Sequence, residues 1–489
     1  QFLVESVVLT VLGAAVGLGV AQLGLNALIA LAPADIPRLA AAGLDGRVFA
    51  FTLGVCGLVA LGFGLVPALQ ARRLDIQDAL KAQAGRSVSE GRGGRQFRSG
   101  LVVTEVALAV TLVVGAGLLL RSLQALRAVD PGFRTERVLK AQYDLPQTRY
   151  GTDFSRWPDL PEITNLHSAF LREVRALPGV ESAALASPHP LNAGFTNSFV
   201  IVGREAESQD FPEIRLRFVT PGYLRTLDVL LLRGRALDSG DVVGVAPVAM
   251  INHTAAERYF ADAEPIGQQI RFWGIDRQIV GVIGDERFHG VDSPTDPAAY
   301  VPLAQAPQTS GTTLLVRAGR GDPTALAPAI RVRLAELDPQ LALYGVEALE
   351  TTLSASIARP RFTATLLALF AGVAIVLALI GVHAVLSYTM ARRAPELGIR
   401  LALGASRAQV LRLVVGEGVQ LAAFGVALGL LGALAGGRLL ASLLFGVSST
   451  DPATFAAVAV LVLATAALAS WLPARRALRI DPMRSLRAE

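Results

Sequence analysis

The sequence is poor in cysteine, lysine, aromatic rings and charge. Its 489 residues include one cysteine, Cys56, and two lysines, Lys81 and Lys140. A lone cysteine excludes any intrachain disulfide, so whatever part is exported folds on its core alone. Charged residues make up 17% of the chain, against about 25% in a typical soluble domain. Hydrophobic residues make up 52% and the mean hydropathy is +0.48. That balance excludes a disordered chain and argues against a wholly soluble one. With aromatics at 6%, the hydrophobicity rests on Ala, Leu, Val and Gly, the make-up of closely packed membrane helices. The net charge of +5 is modest for this length. Arginine-rich loops on the inner side of a membrane account for it, and no nucleic-acid partner is expected.

Chemistry-bearing motifs are missing too. Neither lysine follows the glycine pattern of a G-x-x-x-x-G-K-[ST] loop, which excludes ATP binding of the P-loop kind. The glycines of Gly13-Ala14-Ala15-Val16-Gly17-Leu18-Gly19 sit inside an apolar run. They read as close helix packing and not as a dinucleotide fingerprint. The histidines are His167, His189, His253, His289 and His383, and no two lie at a metal-ligand spacing. Asp285, Glu286 and His289 cluster after an expected strand and read as a solvated turn in preference to a metal site. His383 falls in an apolar run, where a neutral imidazole bonded to a neighbouring helix is expected. No serine sits in a G-x-S-x-G elbow. No catalytic residue, cofactor or metal is expected, and the chain reads as a non-enzyme.

What the chain has is long apolar runs. A spanning helix needs ~20 mostly apolar residues. Six runs meet this, at roughly 3–31, 48–69, 100–120, 363–389, 411–436 and 453–472, with Glu5, Glu105 and Glu417 only near ends. Arginine sets the orientation. Arg72, Arg73, Lys81, Arg86, Arg92, Arg95 and Arg98 follow the second run; Arg392, Arg393, Arg400 and Arg407 follow the fourth; Arg475, Arg476, Arg479, Arg484 and Arg487 fill the tail. The short loops on the other side hold only Arg38, Arg47 and Arg438. The basic segments are therefore cytoplasmic, and residues 121–361 lie outside.

The two ends repeat one another. Glu5-Ser6-Val7 matches Glu417-Gly418-Val419 at an offset of 412 residues. Pro67-Ala68 matches Pro473-Ala474 at an offset of 406, and Leu74-Asp75-Ile76 matches Ile480-Asp481-Pro482 at the same offset. Spans one and two thus repeat spans five and six. The second copy has a span and an inner segment before its helical pair, and the first has neither. The simplest account is a chain that lacks an N-terminal part.

Residues 121–361 carry shorter patterns. Ile214–Val219 alternates with period two, so one face is expected to be buried. Val248–Ile251, Gln278–Ile283 and Thr313–Val316 read as buried strands. Leu166, Phe170, Val174 and Leu177 share one face of a helix that stops at Pro178-Gly179, and Pro323 opens another that runs to about Leu337. About eight strands with three or four helices make an α+β domain, expected to split into two lobes. The whole is a polytopic α-helical membrane protein, with six spans and a large α+β extracytoplasmic domain. Residues 1–71 hold the first helical pair, 72–99 a basic linker and 100–120 the third span. The external domain follows at 121–361, then three spans at 362–489.

One inner segment is richer than the rest: Arg392-Arg393-Ala394-Pro395-Glu396-Leu397-Gly398-Ile399-Arg400-Leu401-Ala402-Leu403-Gly404-Ala405-Ser406-Arg407. Pro395 suits a first helical turn, and Glu396 suits its positive end. Gly404 ends this helix and Ser406 caps the next. Such a helix, 395–403, can lie on the membrane face or offer a docking surface to a cytoplasmic partner, and the residues alone favour neither.

At these residues the chain resembles the FtsX-like permeases, the membrane subunits of MacB-type ABC transporters. The likeness continues through Leu444-Phe445-Gly446-Val447, Asp451-Pro452 and Pro473-Ala474-Arg475-Arg476-Ala477. In the external part it is carried by Leu177-Pro178-Gly179-Val180, Thr220-Pro221-Gly222-Tyr223, Arg233-Gly234-Arg235, Pro265-Ile266-Gly267 and Val280-Gly281-Val282-Ile283-Gly284-Asp285. The duplication resembles one subgroup, the duplicated orphan permeases, in which two units are fused without an ATPase.

The resemblance implies a bacterial inner membrane with 121–361 in the periplasm. It implies mechanotransmission for efflux or export, driven by a separate ABC ATPase, with a periplasmic adaptor and an outer-membrane channel as further partners beside membrane lipid. It assigns 395–403 as the coupling helix, with Arg393, Glu396, Ile399, Arg400 and Leu403 meeting the ATPase. The stretch Leu120–Leu126 would be a stalk, and Ala358-Arg359-Pro360-Arg361 would begin the returning one. The rival reading is a signalling or scaffold protein whose external domain regulates an envelope enzyme without transport.

Overall fold

The computed structural model describes residues 2–31, 43, 45–71, 92–151, 155–393, 400 and 406–477. The chain forms two units. Residues 1–125 and 359–489 make one, and 126–358 make the other.

The first unit is helical. Its helices are Phe2–Leu31, Gly46–Ala71, Arg92–Arg127, Ala358–Arg392, Arg407–Leu440 and Pro452–Ala477. Five of these stretches are long and apolar enough to cross a membrane. The expected span at 48–69 lies in the helix Gly46–Ala71, whose described apolar part is the shorter Gly46–Leu58. The chain is a polytopic membrane protein, and the described residues give five such spans where six were expected. Both second helices of the repeat, Gly46–Ala71 and Pro452–Ala477, run for 26 residues and coincide at both ends.

The last four helices form a bundle around Val102, Val106, Val110, Ala378, Val382, Val426 and Val462. Small residues set its closeness. A Cβ at Gly425 would stand 2.6 Å from Val106 Cβ, and one at Gly429 would stand 2.6 Å from the Ala107 carbonyl oxygen. Two helices approach this closely only where one carries no side chain. At Gly13, Gly17 and Gly19 a Cβ would meet nothing within 4 Å. The packing expected of the Gly13–Gly19 stretch is thus found on Gly425 and Gly429.

The second unit is α/β. Its strands are β1 (Val138–Tyr143), β2 (Val180–Ser187), β3 (Thr196–Asn197), β4 (Val200–Ile201), β5 (Ile214–Val219), β6 (Leu231–Gly234), β7 (Val248–Asn252), β8 (Gln269–Phe272), β9 (Ile275–Ile283), β10 (Ala298–Pro302), β11 (Thr312–Ala318) and β12 (Tyr344–Ala348). The twelve form one hydrogen-bonded sheet of order β12-β1-β11-β2-β5-β10-β7-β9-β8-β4, with β3 on β5 and β6 on β9. β5 with β10 and β7 with β9 are parallel pairs; β1, β11 and β2 pair antiparallel.

Both faces of the sheet are covered. Leu139, Leu185, Leu314 and Val316 pack under the helices Pro161–Arg175 and Ala327–Leu337. Val138, Ala184, Ala186 and Leu315 point the other way, to Tyr223, Leu227 and Leu349. That is why these strands read as continuous apolar runs. The four strand stretches and two helices expected from the sequence are present. The eight strands expected are twelve; two of the extra ones, β3 and β4, are two residues each and carry no periodicity. The expected division into two lobes is replaced by one sheet in one unit.

Candidate functional site

The Asp285–His289 cluster is not a solvated turn. Glu286 is fully buried and accepts hydrogen bonds from Tyr223 Oη at 2.8 Å and from Tyr300 Oη. Burial raises its carboxyl above the usual range, and Arg217 and the two tyrosines pull against that rise. Arg217, on β5, is equally buried. Its guanidinium donates to the carbonyls of Pro188 and His189 at 2.8 Å and of Asn192 at 3.1 Å, and lies 4.5 Å from the centre of the Phe288 ring. The polar face of β5 is therefore covered too, against the expectation of one buried face.

Asp285 turns away from Glu286 and accepts from Thr254 N at 2.9 Å and Thr254 Oγ1 at 2.8 Å. His289 Nε2 accepts from Arg215 at 2.5 Å. The three residues face three different partners. Among the described residues no group of three His, Cys, Asp or Glu could hold a metal.

Two of the other histidines are held inside their units by hydrogen bonds. His167 is buried, with Nε2 donating to the Gln308 carbonyl at 2.9 Å and Nδ1 at 2.6 Å from Tyr143 Oη. A carbonyl only accepts, which fixes the tautomer. Burial lowers this imidazole to about 4. His383 reaches a neighbouring helix, as expected: Nδ1 is 3.3 Å from the Ala469 carbonyl of the last helix and Nε2 is 3.4 Å from Ser387 Oγ. A cavity of about 290 Å³ beside β5 is lined by Val219, Tyr223, Val229, Leu237 and Met250, with Arg225 and Asp228 among its polar residues.

The remaining candidate is the membrane unit's two ends. At the inner end, Glu396, Ile399 and Leu403 lie outside the described residues, as does nearly all of 395–403. Arg393 is described, and its Nη1 pairs with Glu417 Oε1 of the next helix at 2.6 Å. Arg400 is described and exposed. Ser406 begins the following helix as expected. Its Oγ accepts from Gln409 N at 3.3 Å while Gln409 Oε1 accepts from Ser406 N at 2.9 Å, a capping box. Arg98 lies 4.3 Å from the centre of the Tyr388 ring, so this end ties its helices together through arginine.

The other end is held by contacts that sequence reasoning missed. Arg121, near the end of the helix Arg92–Arg127, pairs with Asp451. Asp451 also caps the last helix, accepting from Thr454 N at 2.9 Å and Thr454 Oγ1 at 2.6 Å. Ser122 Oγ accepts from Phe445 N at 2.8 Å. Gly117 lies against Thr454, where a Cβ would stand 2.9 Å from Cγ2. The stretch 444–454 is thus a clasp around the far end of the helix Arg92–Arg127. Its residues were singled out by family likeness alone, because Arg121 and Asp451 are 330 positions apart.

Comparison with known proteins adds to this geometry. Residues 99–333 match the MacB-like periplasmic core domain and residues 368–482 match the FtsX-like permease C-terminal domain. A relative named pyoverdine export ATP-binding/permease protein PvdT, from Pseudomonas syringae pv. tomato, is 30% identical over 270 residues, covering 52% of this chain and 40% of that protein. A macrolide export ATP-binding/permease protein, MacB 2 of Aeromonas hydrophila, is 26% identical over 282 residues, covering 55% and 42%. The chain spans about two fifths of the length of the curated relatives it matches. Among solved structures, the periplasmic region of MacB from Actinobacillus actinomycetemcomitans matches 47% of this chain and 95% of its own, at 14% identity and a TM-score of 0.33.

Proposed function

The chain belongs to the FtsX-like permeases of MacB-type ABC transporters, and we propose that it is an export permease driven by a separate ATPase through mechanical coupling. In this reading the push enters at 395–403, between the helices Ala358–Arg392 and Arg407–Leu440. It leaves through the helix Arg92–Arg127 toward the outer domain, 126–358, on the periplasmic side of a bacterial inner membrane.

One observation carries the reading: the clasp of Arg121 and Ser122 by Asp451 and the Phe445 amide. It fixes the far end of the first bundle helix to the turn before the last, so a tilt imposed on the inner side is not absorbed there. A packed bundle of this kind moves as discrete arrangements more readily than it deforms.

The chain itself supplies no ATP hydrolysis in this account, consistent with the missing phosphate loop. Glu396 and Arg400 stand one helical turn apart on the expected coupling helix, and Ile399 and Leu403 add apolar area beside them. An exposed pair at that spacing contributes only ~0.3–0.5 kcal/mol, so its value lies in specificity of docking. A periplasmic adaptor and an outer-membrane channel complete the proposed assembly, and 1–71 is assigned in this reading as the last helical pair of a first permease unit.

The test is charge reversal. With the chain and its ATPase reconstituted together, Glu396→Arg combined with Arg400→Glu should abolish permease-stimulated ATP hydrolysis while folding and membrane insertion persist. Full stimulation by the reversed chain, with the complex intact on pull-down, would leave 395–403 as a helix at the lipid surface.

A further inference from the structure

The cavity beside β5 plays no part in mechanical coupling. Its walls are apolar, with Val219, Leu224, Val229, Leu231, Leu237 and Met250 lining it. Leu231 is 42% exposed, so this lining reaches the surface of the domain. The hydroxyls of the lining are engaged elsewhere. Tyr223 Oη donates to Glu286 at 2.8 Å, and Thr220 Oγ1 accepts from Leu185 N at 2.8 Å. The interior therefore offers a ligand apolar contact in place of side-chain hydrogen bonds.

Charge is confined to the rim, where Arg225 and Asp228 are both exposed. Asp228 Oδ2 is taken by Arg134 Nε at 2.9 Å. Among the described residues Arg225 pairs with no carboxylate. Its charged neighbour is a second cation, Arg175, whose guanidinium is held below the usual arginine range by burial and then by Arg225. Arg175 Nη2 lies 2.9 Å from where a Cβ would stand on Gly222, which also lines the cavity. Three arginines thus gather about one carboxylate. Like charges held together repel, and a bound anion relieves that repulsion.

We propose that this cavity binds a single-chain amphipathic anion, with an apolar chain inside and a carboxylate against Arg225 at the rim. The planar fork of arginine matches a carboxylate, and the engaged hydroxyls leave the chain nothing polar to meet. Size decides against a bilayer lipid. A cavity of about 290 Å³ stands at the small end of ligand pockets, which run from ~300 to ~1,000 Å³, and suits one chain better than two. The proposal rests on the export reading in making this ligand a cargo. Binding is measured with no ATPase present, so its failure leaves mechanical coupling standing, and failure of coupling leaves the binding measurable.

Photolabelling tests it. The full 489-residue chain in phosphatidylcholine vesicles receives a decanoate with a diazirine at its far end, at about pH 8, where the carboxyl is ionised. Labelled peptides are mapped by mass spectrometry after illumination. The apolar helix Arg92–Arg127 takes label from the bilayer and serves as the reference. The ratio of label within 219–250 to label on that helix should be about fivefold higher for the acid than for the matching alcohol, the factor to which ~1 kcal/mol from an exposed charge pair corresponds. Arg225→Glu should bring the acid down to the ratio of the alcohol. Ala236→Trp, which fills the cavity from a half-buried wall position, should remove the label within 219–250 for both. Arg225 is exposed, so its variant keeps the fold and tests the site independently of Ala236→Trp. Equal ratios for acid and alcohol overturn the proposal, as does acid labelling that survives Arg225→Glu. So does loss of the label when phosphatidylglycerol is added to the vesicles, which would make the occupant a bilayer lipid instead.

Discussion

The row Gly425 and Gly429 offers the sharpest quantitative test of the bundle. Replacing Gly429 with alanine puts a methyl group 2.6 Å from both the Ala107 carbonyl oxygen and Val110 Cβ. At Gly425 the new methyl lies 2.6 Å from Val106 Cβ, 2.7 Å from its Cγ1 and 3.0 Å from the Val103 carbonyl oxygen. Carbon atoms rest at about 3.5–4.0 Å, and a helix carbonyl cannot rotate aside. The helix Arg92–Arg127 must therefore move away. Overpacking of this kind costs ~1–3 kcal/mol per site. Against it stands the helix preference of alanine over glycine, roughly 1 kcal/mol. One outward shift relieves both sites, so the costs are not additive. The pair Gly425→Ala and Gly429→Ala should lose about 1–3 kcal/mol in all. Gly416→Ala and Gly436→Ala, where a Cβ meets nothing within 4 Å, should be neutral or gain up to ~1 kcal/mol. Equilibrium unfolding in mixed detergent micelles, followed by helical circular dichroism, reads the difference. Alanine at 425 and 429 as stable as alanine at 416 and 436 would refute the close packing.

Two further predictions concern the outer domain and the topology. His167 stays neutral in the fold because burial lowers it to about 4, whereas an unfolded imidazole titrates near ~6.5. Between those values the unfolded chain binds the extra proton, so His167 costs stability as pH falls from about 6.5 toward 4, by at most ~3 kcal/mol. Glu286, whose carboxyl is raised by burial, works in the opposite sense, since its folded form takes up the proton first. The loss of stability on acidification should therefore be shallower in His167→Gln than in the native chain, as measured by thermal unfolding at stepped pH, and equal slopes would contradict the buried neutral imidazole. For topology, in a Cys56→Ser background, cysteines at Ser87 and Ser89 should resist an impermeant thiol reagent in intact cells while those at Asp159 and Asp322 react. Labelling at 89 would reverse the orientation.

Much of this architecture was legible because it is periodic. Apolar runs of helical length gave the spans, and their repetition at offsets of 412 and 406 gave the paired ends, which coincide in the structure from Gly46 and Pro452 to Ala71 and Ala477. The strands Val248–Asn252 and Thr312–Ala318 were readable because both their faces are buried. What escaped depended on partners distant in sequence. Glu286 and Arg217 look like solvated charges until Tyr223, Tyr300 and the carbonyls of Pro188, His189 and Asn192 close over them. The clasp of Arg121 by Asp451 has no local signal at all. Gly13 and Gly17 match Gly425 and Gly429 as a pattern, and only the fold tells which pair holds a helix.

The central claim is that work done by a separate ATPase on 395–403 reaches the outer domain. Hydrogen–deuterium exchange of residues 126–358, in the reconstituted complex with and without ATP, tests it most directly. The account predicts an ATP-dependent change in exchange within this unit, lost when Glu396→Arg and Arg400→Glu are combined in a complex that stays assembled. An outer domain whose exchange is indifferent to ATP turnover, or one whose response survives the charge reversal, would contradict it.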